Sequence, residues 1–186
     1  MRLENDFFEN KSTLEIAKYL LGKTLVYETE QGILKGIISE TEAYTQEDPA
    51  SHTFNGKKAK RNETMFKNAG HLYVYFTYGM HYCANIVTGR EGVGEAVLIR
   101  AVIPISGTDL MIKNRKGNVK NIADGPSKLC QAYGFNRIHN GIDMFKEQSK
   151  IYLEDTGKKP LEIFQTERIG ISNGKELPWR FVGKFQ

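Results

Sequence analysis

The chain has 186 residues, of which 40% are apolar and 26% charged, a composition typical of a globular domain with a sizeable core rather than of a disordered chain. Its 26 lysines and arginines exceed its 22 acids by only four, so a nucleic-acid partner has to be argued from where the cations cluster. Two cysteines without a CxxC pair argue against a disulfide framework or a zinc site and favour a reduced cytosolic setting, and no apolar run approaches the ~18 residues of a membrane span.

The N-terminal part predicts a helix followed by a β-hairpin. Ser12 and Glu15 form a capping box, and leucines at helical spacing follow until Gly22 ends the run. Residues 24–29 have the composition of a strand, and a turn at Gln31-Gly32 leads into a second strand over residues 33–44.

The end of that second strand carries two carboxylates and an aromatic ring. Alternation predicts that one face presents Ile38, Glu40, Glu42 and Tyr44, and that Thr41 and Ala43 point the other way. Two acids one pleat apart are unusual in a strand that is only buried. Glu42 is therefore the candidate catalytic residue, and Glu40 is expected to have a structural role.

The segment from residue 45 to residue 68 predicts a functional loop, because it has almost no apolar periodicity. Its second half carries five cations against one acid, Glu63. The cations are Lys57, Lys58, Lys60, Arg61 and Lys67. Charge alone leaves open whether this patch binds nucleic acid or is a solvated face.

Residues 71–87 predict two strands that meet at a turn near Gly79. Four of the nine tyrosines lie between positions 73 and 82, which fits either an aromatic core or a base-stacking platform with a ring at a hairpin tip.

The middle of the chain predicts a central strand and two helices. Arg100 interrupts the apolar strand 96–102 and needs an acidic partner, for which Glu42 and Glu40 are candidates. A helix over residues 107–115 and a cationic loop follow. The next helix has Pro126 at its first position and Gly134 at its end, and its start, with Lys128, could receive a phosphate or be an ordinary capped helix.

The C-terminal third predicts four short strands, at residues 151–153, 161–166, 168–171 and 179–182. Together these elements predict one α+β domain. No histidine-cysteine spacing suggests a metal, and His71, His81, His139 and both cysteines are expected to have ordinary structural roles.

Several motifs, taken together and in order, resemble the alkyladenine (3-methyladenine) DNA glycosylase family over nearly the whole chain. They are Glu40-Thr41-Glu42-Ala43-Tyr44, Glu47-Asp48 with His52, Leu72-Tyr73-Val74-Tyr75 with Tyr78-Gly79-Met80, Asn85, Arg100, the segment 125–132 and Arg168-Ile169-Gly170-Ile171.

The resemblance implies a role for each matching residue. Glu42 matches the general base that activates the attacking water, and Arg100 and the backbone carbonyl of Ile169 match groups that hold that water. The walls of the base pocket are matched by Tyr44, His52 and Tyr75, with Asn85 matching the residue that disfavours the amine of guanine. Tyr78 matches the ring inserted into the minor groove. The charge pattern, rather than the resemblance, makes Lys57, Lys58, Lys60, Arg61 and Lys128 candidate contacts to the DNA backbone.

The resemblance further implies a single glycosylase domain over residues 1–186, with a mainly antiparallel curved sheet, flanking helices and a protruding hairpin. The implied activity is excision of 3-methyladenine, 7-methylguanine, hypoxanthine or ethenoadenine from double-stranded DNA, by a monomer that needs no cofactor or metal. The implied location is the bacterial cytoplasm, at the nucleoid, or a eukaryotic nucleus. Two other functions stay open: a non-enzymatic nucleic-acid-binding module and a small-molecule nucleoside hydrolase, the latter disfavoured by the basic loop and Tyr78.

Overall fold

Eight antiparallel strands form one curved sheet in the computed structural model, which describes all of residues 1–186. The strands are β1 (Thr24–Thr29), β2 (Gly32–Tyr44), β3 (Leu72–Thr77), β4 (His81–Val87), β5 (Ala96–Ser106), β6 (Ile151–Glu154), β7 (Glu162–Thr166) and β8 (Arg180–Lys184). Their order is β3-β4-β5-β2-β1-β6, and β8 pairs with both β2 and β7.

Strand β2 is the centre of this sheet because it has neighbours along both edges. One edge pairs with β5 over most of its length. The other edge pairs first with β1, as the predicted hairpin, and then with β8 over Glu40–Glu42. The end of β2 that carries the two acids is therefore held between two strands.

Three α-helices flank the sheet: α1 (Thr13–Tyr19), α2 (Thr108–Asn114) and α3 (Pro126–Tyr133). The Ser12–Glu15 capping box is present at the start of α1, and Gly134 ends α3 in the left-handed conformation that glycine tolerates best. Short 3₁₀ helices cover Asn5–Phe8, Phe54–Gly56, Glu63–Phe66 and Arg137–His139. None of the helices is long and apolar enough to cross a membrane.

The main core lies between the helices and one face of the sheet. It includes Ile38 and Ala43 of β2 together with buried residues of α1, β5 and α3. Thr41 fixes α1 to this face, since its hydroxyl donates to the carbonyl of Ala17 at 2.8 Å. A second, small cluster of Met65, Tyr73, Val87 and Ala96 lies apart from the main core.

The predicted α+β class is confirmed, as are the helices and nearly all the strands. The strand predicted for residues 168–171 is wrong, because these residues form a loop that turns at Gly170. Tertiary contacts prevent a strand here. The Arg168 side chain is buried and donates to Asp48, and the backbone N–H of Ile169 donates to the Glu42 side chain rather than to a neighbouring strand.

Candidate active site

The carboxylate of Glu42 is fully buried and is contacted by three donors from this chain. The Tyr44 hydroxyl donates to Oε2 at 2.8 Å, and the Ile169 N–H donates to Oε1 at 2.9 Å. Arg100 Nη1 lies 3.2 Å from Oε1. A carboxylate offers about four lone-pair positions. The side chain is thus fixed in orientation and keeps one position for a group in the cavity that it lines.

Irregular pairing between β2 and β5 brings Arg100 to this carboxylate. Ile38 pairs with Val102 and Glu40 with Ala101, so Ser39 is skipped on β2; Thr41 then pairs with Ile99, so Arg100 is skipped on β5. Bulges of this kind re-aim side chains and are common beside active sites. Arg100 has the two acidic partners that its position in an apolar strand predicts.

Because of these bulges, the two faces of β2 differ from those predicted by strict alternation. Ile38 was expected to share a face with Glu42 and Tyr44, but it lies in the main core with Ala43, whereas Glu42 and Tyr44 line a cavity. An unpaired residue shifts the alternation by one, and a strict period of two cannot reveal that from the sequence.

Glu40 lies beside Glu42 but has a different set of partners. Its Oε1 accepts from Nε of Arg100 and from Nε of Arg180, each at 2.6 Å. Burial works against the charge of Arg100, but the carboxylates of Glu42 and Glu40 outweigh it, and the pKa of the guanidinium is raised. Glu40 therefore holds two arginines and is not among the residues that line the cavity.

The cavity beside Glu42 has a volume of about 370 Å³, at the lower end of the ~300–1,000 Å³ usual for small-ligand pockets. Eight residues singled out from the sequence line it: Glu42, Tyr44, His52, Tyr75, Tyr78, Asn85, Arg100 and Ile169. They come from β2, β3, β4, β5 and three loops, so the fold gathers in one place residues up to 127 positions apart.

Aromatic rings form much of the cavity wall. The ring centres of His52 and Tyr75 are 4.6 Å apart with their planes 76° apart, and Tyr73 stacks on Tyr75 at 5.4 Å. Burial raises the pKa of both Tyr75 and Tyr44, and in Tyr44 the charge of Glu42 adds to this, so both hydroxyls stay protonated. Tyr73 was not singled out as a pocket residue, yet it lines the cavity and fixes His52 by a 3.0 Å contact from its hydroxyl to Nδ1.

Asn85 lies on β4, is buried and lines the cavity. Its side-chain amide donates to the carbonyl of Tyr73 at 3.1 Å, within the β3–β4 pair. Because this bond orients the amide, Asn85 presents a fixed polar surface to whatever occupies the cavity.

His52 is held neutral by its surroundings. Burial, with a smaller contribution from the charge of Arg61, lowers the pKa of His52 from 6.5 to about 4. The folded protein therefore binds fewer protons here than the unfolded chain between these pH values. The stability that neutral His52 contributes is fully present above pH 6.5 and is lost as the pH falls toward 4.

We expect an NMR titration of the folded protein to show His52 protonating with a midpoint near pH 4. In Arg61→Gln the midpoint should rise only slightly, because burial is the larger cause. A wild-type midpoint at the ordinary value of 6.5 would contradict this picture of the cavity.

A buried ion pair that the sequence did not predict connects the elements that carry the cavity residues. Asp48 holds Arg168 through both carboxylate oxygens, with Arg168 Nη2 to Oδ1 at 2.9 Å, and both side chains are fully buried. Arg168 also donates to the carbonyls of Ala43 and Gly174 at 3.0 Å, and its guanidinium carbon lies 4.6 Å from the centre of the Tyr44 ring. The pair thereby connects β2, the loop that carries His52 and the loop that carries Ile169.

Ile169 contributes to the site through its backbone. The resemblance implied a role for its carbonyl, and what the structure adds is the bond from its N–H to Glu42. Arg168 precedes it directly and is fixed by Asp48, so the position of this N–H depends on the buried pair.

The hairpin of β3 and β4 projects Tyr78 into solvent at the rim of the cavity. Tyr78 is 79% exposed, and it has a positive φ of 51°, followed by Gly79 at 66°. Positive φ is an outlier for a bulky residue and costs roughly 1–2 kcal/mol. The aromatic-core interpretation of these strands therefore holds for Tyr73, which is buried, but not for Tyr78 at the tip.

The cations predicted from the sequence differ in whether they form a salt bridge. Lys57, Lys58, Lys60, Arg61 and Lys67 are exposed and form no salt bridges, and Met65 between them lines the cavity. We call residues 57–67 the first basic segment. Lys128 differs, since its Nζ is 2.8 Å from Oδ1 of Asp124, so part of the charge expected at the start of α3 is compensated.

The cavity thus combines a buried, arginine-held carboxylate, aromatic walls and an exposed tyrosine, an arrangement that suits a planar ligand. The family described as Methylpurine-DNA glycosylase (MPG) matches residues 6–185. The chain belongs to this family of DNA-repair enzymes, which are hydrolases acting on N-glycosyl bonds.

Bacterial proteins named "Putative 3-methyladenine DNA glycosylase" are similar over most of their length. One from Carboxydothermus hydrogenoformans is 47% identical over 187 residues, covering 99% of this chain and 96% of that protein. One from Francisella tularensis is 47% identical over 175 residues, covering 92% and 90%. One from Desulfitobacterium hafniense is 40% identical over 193 residues, covering 97% and 94%.

Proposed function

We propose that this protein flips an alkylated or deaminated purine out of double-stranded DNA and hydrolyses its N-glycosidic bond with a water activated by Glu42. The proposed substrates are 3-methyladenine, 7-methylguanine, hypoxanthine and ethenoadenine. The observation that carries the proposal is the Glu42 carboxylate, which is fully buried, oriented by three donors and open to the cavity.

The chemistry follows from that geometry. A water oxygen attacks the anomeric carbon of the sugar, Glu42 takes a proton from the water, and the base leaves with the electrons of the glycosidic bond. A cationic methylated purine leaves as a neutral base, and a neutral purine such as hypoxanthine takes up one proton from solvent water as it leaves. The sugar passes through an oxocarbenium-like state, so a nearby carboxylate both activates water and stabilises the developing positive charge. Arg100 orients Glu42 and places a positive charge 3.2 Å from its Oε1.

The cavity walls suit a flipped purine. Tyr44, His52 and Tyr75 offer ring surfaces, and stacking is worth about 1–3 kcal/mol per base. Purines methylated at N3 or N7 are cationic, which makes them good leaving groups and good partners for tyrosine faces. Neutral His52 adds no positive charge that would repel such a base. Asn85 is the proposed obstacle to the exocyclic amine of guanine.

The rim suits duplex DNA. Tyr78 is the proposed wedge that fills the space left by the flipped nucleotide. Proposed backbone contacts are Lys57, Lys58, Lys60, Arg61 and Lys128.

The cavity is complete within one chain, which supports action as a monomer. A module that only bound DNA would gain nothing from a buried carboxylate at this position.

The test of the proposal is base release from synthetic duplexes that each carry one lesion. We expect free 3-methyladenine, 7-methylguanine, hypoxanthine and ethenoadenine to appear with the wild-type protein. The undamaged duplex is the control and should release no base under the same conditions. Release from free nucleosides but not from DNA would instead support a nucleoside hydrolase.

A separate expectation concerns Tyr78→Gly. Loss of the wedge should lower the single-turnover rate roughly 10-fold or more, since flipping costs a few kcal/mol and each 1.4 kcal/mol is a factor of ten. The free energy of unfolding should change by less than about 1 kcal/mol, because glycine relieves the positive φ of an exposed residue. Tyr19→Ala, at an exposed tyrosine of α1, is the control and should keep the wild-type rate. A wild-type rate in Tyr78→Gly would exclude the wedge.

A further inference from the structure

The positive charge of this protein is concentrated in two segments. The first basic segment, residues 57–67, has five cations and one acid, a net charge of +4. Residues 113–128, which we call the second basic segment, also have five cations and one acid, again +4. Because the whole chain carries only +4, all other residues together sum to −4. The protein is therefore net acidic outside these two segments.

Both basic segments border the same cavity. Met65 of the first and Pro126 of the second are cavity-lining residues. The second segment consists of the end of α2, the connecting loop and the first turn of α3. Asn114 and Arg115 fix its beginning to the end of α3 through the carbonyl of Ala132 and the side chain of Gln131. The segment thus begins beside the end of α3 and reaches the cavity at Pro126, where α3 starts.

The Lys116 and Lys120 side chains of the second segment have no partner in this chain and are available to another molecule. Lys113, Lys116 and Lys120 are exposed, and the only salt bridge in the segment joins Lys128 to Asp124. Lys120 is six residues from Pro126, so the two lie within about 21 Å of each other, given at most ~3.6 Å per residue. Six base pairs of B-DNA span a similar ~20 Å at 3.4 Å per pair.

From this distribution we infer that the second basic segment is a DNA-backbone contact, so that two basic segments that border the cavity hold the duplex. The partner that fits is the phosphate backbone of duplex DNA rather than its bases, because the exposed side chains are lysines on a loop and supply charge without a rigid geometry. The inference rests on the proposed function for the identity of the polyanion, and it assigns a role to Lys116 and Lys120 that the cavity chemistry does not require.

The test is the salt dependence of binding to undamaged duplex, which involves no base release. Each phosphate contact contributes about 0.9 to the slope of log K against log salt. For the double variant Lys116→Gln/Lys120→Gln we expect the slope to decrease by roughly 1–2 and the affinity in low salt to fall about 10-fold or more. Fluorescence anisotropy with a labelled duplex measures both quantities.

The matched control is Lys146→Gln/Lys150→Gln, which removes the same charge from two exposed lysines outside both basic segments. It should change the affinity less than about 2-fold, since only the weak long-range field is altered. An unchanged slope in Lys116→Gln/Lys120→Gln, or an equal loss in the control, overturns the inference. Base release by the wild-type protein is scored separately, so failure of the proposed function would not be mistaken for failure of this contact.

Discussion

Replacing Glu42 with glutamine is expected to reduce the single-turnover rate of base release by about 10³-fold or more while leaving the protein folded. General-base catalysis typically contributes 10²–10⁴-fold, and the loss of a charge that stabilises the oxocarbenium-like state adds to this. Glutamine has the same shape, its oxygen can still accept from Ile169 N–H, and the Tyr44 hydroxyl can reverse and accept from the new amide. The measurement is quenched single-turnover kinetics on a duplex with one hypoxanthine.

Glu40→Gln is the matched control for this experiment. Glu40 is one pleat away and also contacts Arg100, but it does not line the cavity. Its replacement should weaken the hold on Arg100 and Arg180 and lower the rate by about 10-fold or less, as expected for removing one hydrogen-bonded charge of ~1.5 kcal/mol. If both variants lost activity equally, the two acids would share the chemistry.

The largest expected effect on stability comes from Asp48→Asn. It leaves the guanidinium of Arg168 buried without its countercharge, and breaking a buried pair from one side typically costs about 3–5 kcal/mol. Domains of this size are stabilised by only about 5–15 kcal/mol in total, so the loss is severe. Urea unfolding should show a lower midpoint, with a fall in melting temperature of roughly 6–20 °C.

Asp124→Asn is the control, because it breaks the exposed Lys128–Asp124 pair and removes the same charge. Surface pairs contribute about 0–1 kcal/mol, so the midpoint of this variant should stay close to that of the wild type. Equal midpoints for Asp48→Asn and Asp124→Asn would mean that the buried pair does not brace the cavity.

Local patterns in the sequence predicted most of the secondary structure. The capping box at Ser12, the glycine after α3 and the strand-type composition of β3 and β4 are signals that act over a few residues, and these elements form where expected. The pairing of Arg100 with the acids of β2 was also foreseeable, because a guanidinium in an apolar strand requires a countercharge.

The features that the sequence did not predict depend on contacts between residues that are far apart in the chain. Asp48 and Arg168 are 120 positions apart, and nothing near either residue indicates its partner. The bulges at Ser39 and Arg100 arise from how β2 and β5 pair, so the true face of Ile38 could not be derived from alternation. By contrast, the pairing of Lys128 with Asp124 has a local signal, because opposite charges stand four residues apart at a helix start.

The central claim, that Glu42 acts on the bond rather than on binding, is tested most directly by two quantities from one preparation of Glu42→Gln. These are the affinity for a hypoxanthine-containing duplex and the rate of hypoxanthine release. We predict an affinity within about 3-fold of the wild-type value, less than 1 kcal/mol, together with a rate at least ~10³-fold lower. Base release at the wild-type rate, or a loss of affinity as large as the loss of rate, would contradict the assignment of Glu42 as the water-activating base.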